Sequence, residues 1–173
     1  MSSIEIREVG LNDLNALQKI SIDTFFETFS AVNSPENMQK YLNENLSEEK
    51  LAEELNNPAS TFYFAVDAGN IIGYLKVNTA SAQTESVENN ALEIERIYVV
   101  KEYHGKNIGQ LLYEKAITVA KEKNAPYVWL GVWEENPRAI SFYKKNGFVE
   151  FDKHIFILGD DKQTDIMMKL MLT

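Results

Sequence analysis

Between Glu93 and Phe148 the chain concentrates the residue types and spacings that could do chemistry. The run Lys101-Glu102-Tyr103-His104-Gly105-Lys106-Asn107-Ile108-Gly109 leads from a strand into a helix. A glycine turn feeding a helix N-terminus offers free backbone N–H groups and the positive end of the helix dipole, which suits a pyrophosphate. The spacing is neither the dinucleotide GxGxxG nor a P-loop, because no Gly-Lys-Ser/Thr follows; taken alone it fits an ordinary tight turn better. Just upstream, Glu93 and Glu95 fall on one strand face, since side chains alternate with period two. Such a pair can handle protons or simply pair with Arg96 and nearby lysines. Downstream, Ala139, Phe142 and Tyr143 recur at three- and four-residue spacing on one helix face, and on that spacing alone the two rings read as core aromatics. With no cysteine there is no disulfide, thiolate metal site or Cys nucleophile, which fits a cytoplasmic protein. His104 and His154, the only histidines, stand 50 residues apart without ligand spacing, so no metal is expected.

These groups need a scaffold, and the pattern supplies one. Ile4–Val9 alternates as a half-buried strand, and Asn12 reads as the cap of a helix carrying Leu14, Leu17, Ile22, Phe25, Phe26 and Phe29. Ser34-Pro35 starts a second helix and Ser47 a third, with Leu46 and Leu51 at the staple positions and Pro58 as the stop. Thr61–Val66 and Ile71–Val77 read as strands joined by the turn Asp67-Ala68-Gly69-Asn70. Ser81–Asn90 reads as an exposed polar loop, and Leu92–Val100 as a strand. A helix follows to about Asn124, then the nearly continuous apolar strand Tyr127–Trp133. Asn136-Pro137 opens a helix that Asn146-Gly147 closes. Strands Phe148–Ile157 and Thr164–Leu172 finish the chain, joined by Gly159-Asp160-Asp161. The order is β-α-α-α-β-β-β-α-β-α-β-β: mixed α/β, one domain spanning 1–173, with no linker or repeat.

The chain has 173 residues, 45% hydrophobic and 25% charged, a balance that suits one folded core. No apolar run reaches the ~18 residues of a membrane span, and Met1-Ser2-Ser3-Ile4-Glu5 shows no leader pattern. Net charge is −9. Residues 1–100 hold 6 Lys+Arg against 16 Asp+Glu, and residues 101–173 hold 11 against 10. An acidic front half disfavours nucleic acid and suits a cationic ligand, while the region from Lys101 to Lys123 tolerates a polyanion.

The 104–109 turn resembles the phosphate motif of the GNAT N-acetyltransferase superfamily (Gln or Arg, two residues, Gly, one residue, Gly or Ala). The run Asn136…Ala139…Phe142-Tyr143…Gly147-Phe148 resembles that family's second signature, at the expected distance. Two departures stand out. His104 occupies the Gln/Arg position and can still donate to a phosphate; Asn107 replaces the first glycine, and Asn tolerates a left-handed backbone better than other side chains. The resemblance implies a GNAT fold: a mixed, mostly antiparallel sheet with helices on both faces, splayed between the fourth and fifth strands. It implies acetyl-CoA as co-substrate. Its pantetheine arm would lie on Ile97, Tyr98 and Val99. Its pyrophosphate would lie on His104, Gly105, Lys106, Asn107, Ile108, Gly109 and Gln110, with Asn136 and Lys145 assisting. It further implies Tyr143 as the acid for the leaving thiolate, and Glu93, with Glu95 as the alternative, as the base for an amine.

Further runs resemble the bacterial PaiA-type spermidine/spermine N-acetyltransferases: Ser34-Pro35-Glu36-Asn37-Met38, Leu92–Tyr98, Trp129–Glu134 and Gly159-Asp160-Asp161…Gln163-Thr164-Asp165. They imply a polyamine acceptor, with Asp23, Glu27, Asp160 and Asp161 as candidate partners for its distal ammonium groups. Another small amine, a protein amine, and a regulatory acetyl-CoA binder without turnover are the competing readings. Exposed sheet edges leave a homodimer open.

Overall fold

Three helix starts are written in local hydrogen-bond chemistry. The Ser34, Ser47 and Asn136 side chains accept from the backbone N–H of Asn37, Lys50 and Ala139, at 3.1, 3.2 and 3.2 Å, satisfying amides that a helix leaves unpaired. The computed structural model describes residues 3–85 and 87–172; the first two residues of the expected leaderless start lie outside them. Its elements are β1 (Ile4–Glu8), α1 (Leu14–Phe29), α2 (Pro35–Asn45), α3 (Glu48–Asn56), β2 (Ser60–Asp67), β3 (Asn70–Asn78), β4 (Leu92–Val99), α4 (Ile108–Glu122), β5 (Tyr127–Trp133), α5 (Pro137–Lys145), β6 (Val149–Leu158) and β7 (Asp161–Met171). Order and type match the sequence reading. Asn12 does not: it sits inside a single 3₁₀ turn, and Asp13 organises that corner instead. Its carboxylate accepts from Gly10 N–H at 3.0 Å and pairs with Arg7 at 3.1 Å.

The seven strands form one sheet in the order β1-β2-β3-β4-β5-β7-β6. The β2–β3 hairpin turns at Ala68 and Gly69, both at positive φ, which matches the right-handed twist of its strands. Along β2 the side chains alternate between two cores: Phe62, Phe64 and Val66 face α1, α2 and α3, while Tyr63 and Ala65 face α4. Helices therefore cover both faces. Among the described strands only β4 and β5 run parallel, and they pair for three positions alone, from Leu92 opposite Val128 to Ile94 opposite Leu130. Beyond Ile94 the two strands part, opening a wedge in mid-sheet. Immediately past this point β4 bulges at Glu95, the extra residue between the pairs Val77–Ile94 and Lys76–Arg96. At the sheet's far edge, β6 exposes Val149, Ile155 and Ile157.

The β6–β7 turn reaches back to α2. The Asn37 amide donates to Asp160 Oδ1 at 2.8 Å and lies against Gly159, where an added Cβ would collide with Asn37 Oδ1. Gly159 is also left-handed, at φ +66. Gly159→Ala should therefore cost roughly 1–3 kcal/mol of stability, from backbone strain and the displaced Asn37. Chemical denaturation monitored by circular dichroism measures it, and an unchanged midpoint would show that the clasp is dispensable.

Candidate active site

The wedge between β4 and β5 is the floor of two adjoining cavities. The larger, about 680 Å³, is lined by Ile97, Tyr98 and Val99 of β4, by the turn His104, Gly105, Asn107, Ile108, Gly109 and Gln110, and by Asn136, Arg138, Ala139 and Phe142 from α5 and its cap. Asn107 is left-handed (φ 70), as its replacement of a glycine requires, and its side chain does not cap α4. The first intrahelical bond runs from Leu111 N–H to Asn107, so the amides of Asn107 to Gln110 lack helical partners. Gly105 and Gly109 face open space. Unpaired amides at the positive end of a 15-residue helix suit an anion. Of the residues expected to hold a cofactor, two stand apart from this lining. Lys106 folds over the Tyr103 ring, 4.9 Å from its centroid, and Lys145 is exposed at the end of α5. Gln110 is engaged with Asn146 at 3.1 Å.

The smaller cavity, about 280 Å³, has aromatic walls (Phe25, Phe29, Tyr41, Tyr74, Tyr98, Trp129, Trp133) and carboxylates at Glu85, Glu93, Glu95 and Asp165. Tyr98, Trp133, Asn136, Ala139 and Tyr143 line both cavities. Tyr143 is thus at their junction. Its ring packs on Phe142 and Phe148, its hydroxyl bonds to no described residue, and burial pushes the phenol well above its ordinary value, so it stays protonated.

The two glutamates share a face, as strand alternation implied, and the buried Asn78 amide donates to both, at 2.9 Å to Glu93 and 2.8 Å to Glu95. Their environments then diverge. Glu95 lies 2.7 Å from Lys76 Nζ and 3.2 Å from Arg96, and Glu54 of α3 binds the same two cations at 3.0 and 3.3 Å. Burial alone would raise the Glu95 carboxyl, but Arg96 and Lys76 hold it down at about 2. Glu93, 3% exposed, pairs with no cation among the described residues: burial pushes its carboxyl up, against hydrogen bonds from Thr84 and Asn78, and Glu95 adds to the push. The Thr84 backbone N–H donates to Glu93 Oε1 at 2.9 Å and its hydroxyl to Oε2.

Thr84 belongs to the loop expected to be exposed. Most of its described residues are exposed, as expected, but Gln83 and Glu85 are tied to the body of the fold, Trp129 Nε1 donating to Gln83 at 2.7 Å and His154 pairing with Glu85 at 2.7 Å. These are bonds to residues 46 and 69 positions away, invisible to local polarity. Three of the four candidates for distal ammonium groups line neither cavity. Asp23 pairs with Lys19 on the exposed side of α1, and Asp160 and Asp161 bind Asn37 and Gln163. Glu27 accepts from Lys101 N–H and lines the larger cavity. Glu85 and Asp165 line the smaller cavity; burial pushes the Asp165 carboxyl up, with His154 opposing.

Comparison with known proteins places these features in context. The sequence pattern described as "Acetyltransferase (GNAT) family" matches residues 15–148. An uncharacterized N-acetyltransferase of Lactobacillus delbrueckii subsp. lactis is 42% identical over 99% of both chains. The spermidine N(1)-acetyltransferase of Thermoplasma acidophilum is 30% identical over 84% of this chain and 88% of its own. A crystal structure of PaiA N-acetyltransferase from Thermoplasma acidophilum in complex with coenzyme A superposes with a TM-score of 0.80 and 28% identity, covering 98% of this chain and 99% of that one.

Glu95→Gln should leave one of the two buried cations uncompensated and destabilise the fold by about 3–5 kcal/mol. Because the Glu95 carboxyl is depressed in the folded chain, its contribution is fully present above about 4.5 and fades as pH falls towards 2. Denaturation midpoints of both proteins across pH 2–7 should converge at the acid end; a constant gap would contradict the ion-pair origin.

Proposed function

The chain belongs to the acetyltransferase (GNAT) family and is an acetyl-CoA-dependent N-acetyltransferase; from that premise we propose that its acceptor is a primary amine of a polyamine, spermidine or spermine. The observation that carries this reading is the smaller cavity. Four carboxylates and eight aromatic rings, Tyr143 included, line it, against one arginine, Arg96, already engaged by Glu54 and Glu95. Ammonium groups on an apolar chain suit such a wall, through charge and cation–π attraction. The spermidine activity named for the Thermoplasma relative supports the same acceptor. We read residues 1–173 as one catalytic domain acting in the cytoplasm; among the described residues no helix is long and apolar enough to cross a membrane.

The larger cavity fits acetyl-CoA. Its open amides from Asn107 to Gln110 and the space before Gly105 and Gly109 would take the pyrophosphate, and Ile97, Val99 and Ala139 would flank the pantetheine arm. When bound, acetyl-CoA supplies the activated acetyl thioester. An alkyl ammonium, with a pKa of ~10.4, needs its proton removed before it can attack. Glu93 is the group for this step: it is short of cations, raised towards neutrality and aimed at the acceptor cavity, and it receives the proton directly or through water. Glu95, locked ionised in its charge cluster, has little basicity to offer. Tyr143 holds its proton at Oη, where the cavities meet, for the departing thiolate.

With a panel of amines, release of coenzyme A should show kcat/KM for spermidine or spermine at least about tenfold above that for propylamine or free lysine. Turnover confined to a peptide N-terminus would overturn the polyamine reading. Glu93→Gln should lower kcat by roughly 10²–10⁴ and remove the acidic limb of the pH–rate profile, since only the ionised carboxylate accepts a proton. Tyr143→Phe should lower kcat while the KM for acetyl-CoA changes little; full activity in either variant would take that residue out of the proton transfers.

A further inference from the structure

His104 is engaged on both ring nitrogens. Nε2 lies 2.8 Å from the Val99 carbonyl oxygen, and Nδ1 lies 2.9 Å from NH1 of Arg138. A carbonyl only accepts and a guanidinium only donates, so the ring is the neutral tautomer with its proton on Nε2. His104 is therefore an acceptor for Arg138 across the mouth of the larger cavity, which both residues line. Arg138 occupies the second turn-position of α5, directly after Pro137, and is exposed. Among the described residues no carboxylate pairs with it. Its charge is met only by a neutral ring, and its remaining N–H donors are uncommitted.

The lining of this cavity contains Lys101 and Arg138 but also Glu27 and Glu135. Net charge therefore does not draw an anion here; placement must. We infer that Arg138 is the side-chain phosphate ligand of the acetyl-CoA site and that His104 is its positioning residue. His104 aims the guanidinium at the same space that the α4 amides face, and a guanidinium offers a planar fork matched to phosphate oxygens. The anion-binding side chain thus comes from α5 rather than from the turn itself, and a histidine spacer sets its direction. The ligand chemistry is a phosphate at the nucleotide end of coenzyme A, either the pyrophosphate or the 3′-phosphate.

Isothermal titration with coenzyme A and 3′-dephospho-coenzyme A tests this without turnover. Arg138→Ala should weaken coenzyme A binding about 10- to 100-fold, the range of a charge-assisted hydrogen bond. If the penalty disappears with the dephospho ligand, the partner is the 3′-phosphate; if it persists, the pyrophosphate. His104→Ala should weaken binding less, about three- to tenfold, whereas His104→Gln, whose amide oxygen can accept from Arg138, should stay within about threefold of wild type. The double variant His104→Ala/Arg138→Ala should bind no worse than Arg138→Ala, since a positioning residue has nothing left to position. Both side chains are exposed, and matched melting temperatures would verify intact folds. Wild-type affinity in Arg138→Ala would overturn the assignment of Arg138. Fully additive losses in the double variant would overturn the role of His104.

Discussion

Two parallel strands that stop pairing after three positions set the terms for the rest of this molecule. Backbone N–H and C=O groups in the middle of a sheet must find partners, and past Ile94 the β5-facing edge of β4 has none from the sheet. The fold answers by leaving the wedge as a binding space, with a helix N-terminus at one end and a strand bulge at the other. Strand divergence, the uncapped start of α4 and the bulge at Glu95 are consequences of one geometry. Tyr143 and Asn136 matter because α5 begins and ends beside that same opening.

The second constraint is electrostatic. Lys76, Arg96, Glu54 and Glu95 form a closed group of two cations and two carboxylates beside the smaller cavity. Taking these charges out of water is costly unless each is paired. Once both cations are spent on Glu54 and Glu95, Glu93 is left with only neutral donors, Asn78 and Thr84. Two glutamates two residues apart thereby acquire opposite proton affinities, and separated affinities are what distinguish a proton acceptor from a structural anion.

Much of this was legible in the sequence because it is local. Ser34, Ser47 and Asn136 announce their helices by capping chemistry, Asn107 declares a left-handed turn by being the side chain that tolerates one, and the element order follows from apolar periodicity. The shared face of Glu93 and Glu95 followed from strand alternation. The lining of the smaller cavity was not legible. Gln83, Thr84 and Glu85 look like loop filler until Trp129, Glu93 and His154 arrive from distant elements to bind them. Asp160 and Asp161 look available until Asn37 and Gln163 claim them. Acidic composition suggested a cationic ligand but could not say which carboxylates face inward. The contact of Arg138 with a ring nitrogen 34 residues earlier carried no local signal either.

The sheet order has a bearing on how the chain reaches this state. β7, the last strand in chain order, inserts between β5 and β6. Until it is in place, β5 has no neighbour on that side and β6 has none at all. The clasp from Asn37 to the β6–β7 turn, spanning 123 positions, must also wait. Loop-closure entropy makes such distant pairings late events in folding. The front sheet and α4 can assemble from shorter-range contacts first, with an apolar strand edge at β5 open to solvent meanwhile. An unfinished molecule of this kind is adhesive along that edge, so insertion of β7 both completes the wall of the smaller cavity and ends the interval in which the chain is most prone to aggregate.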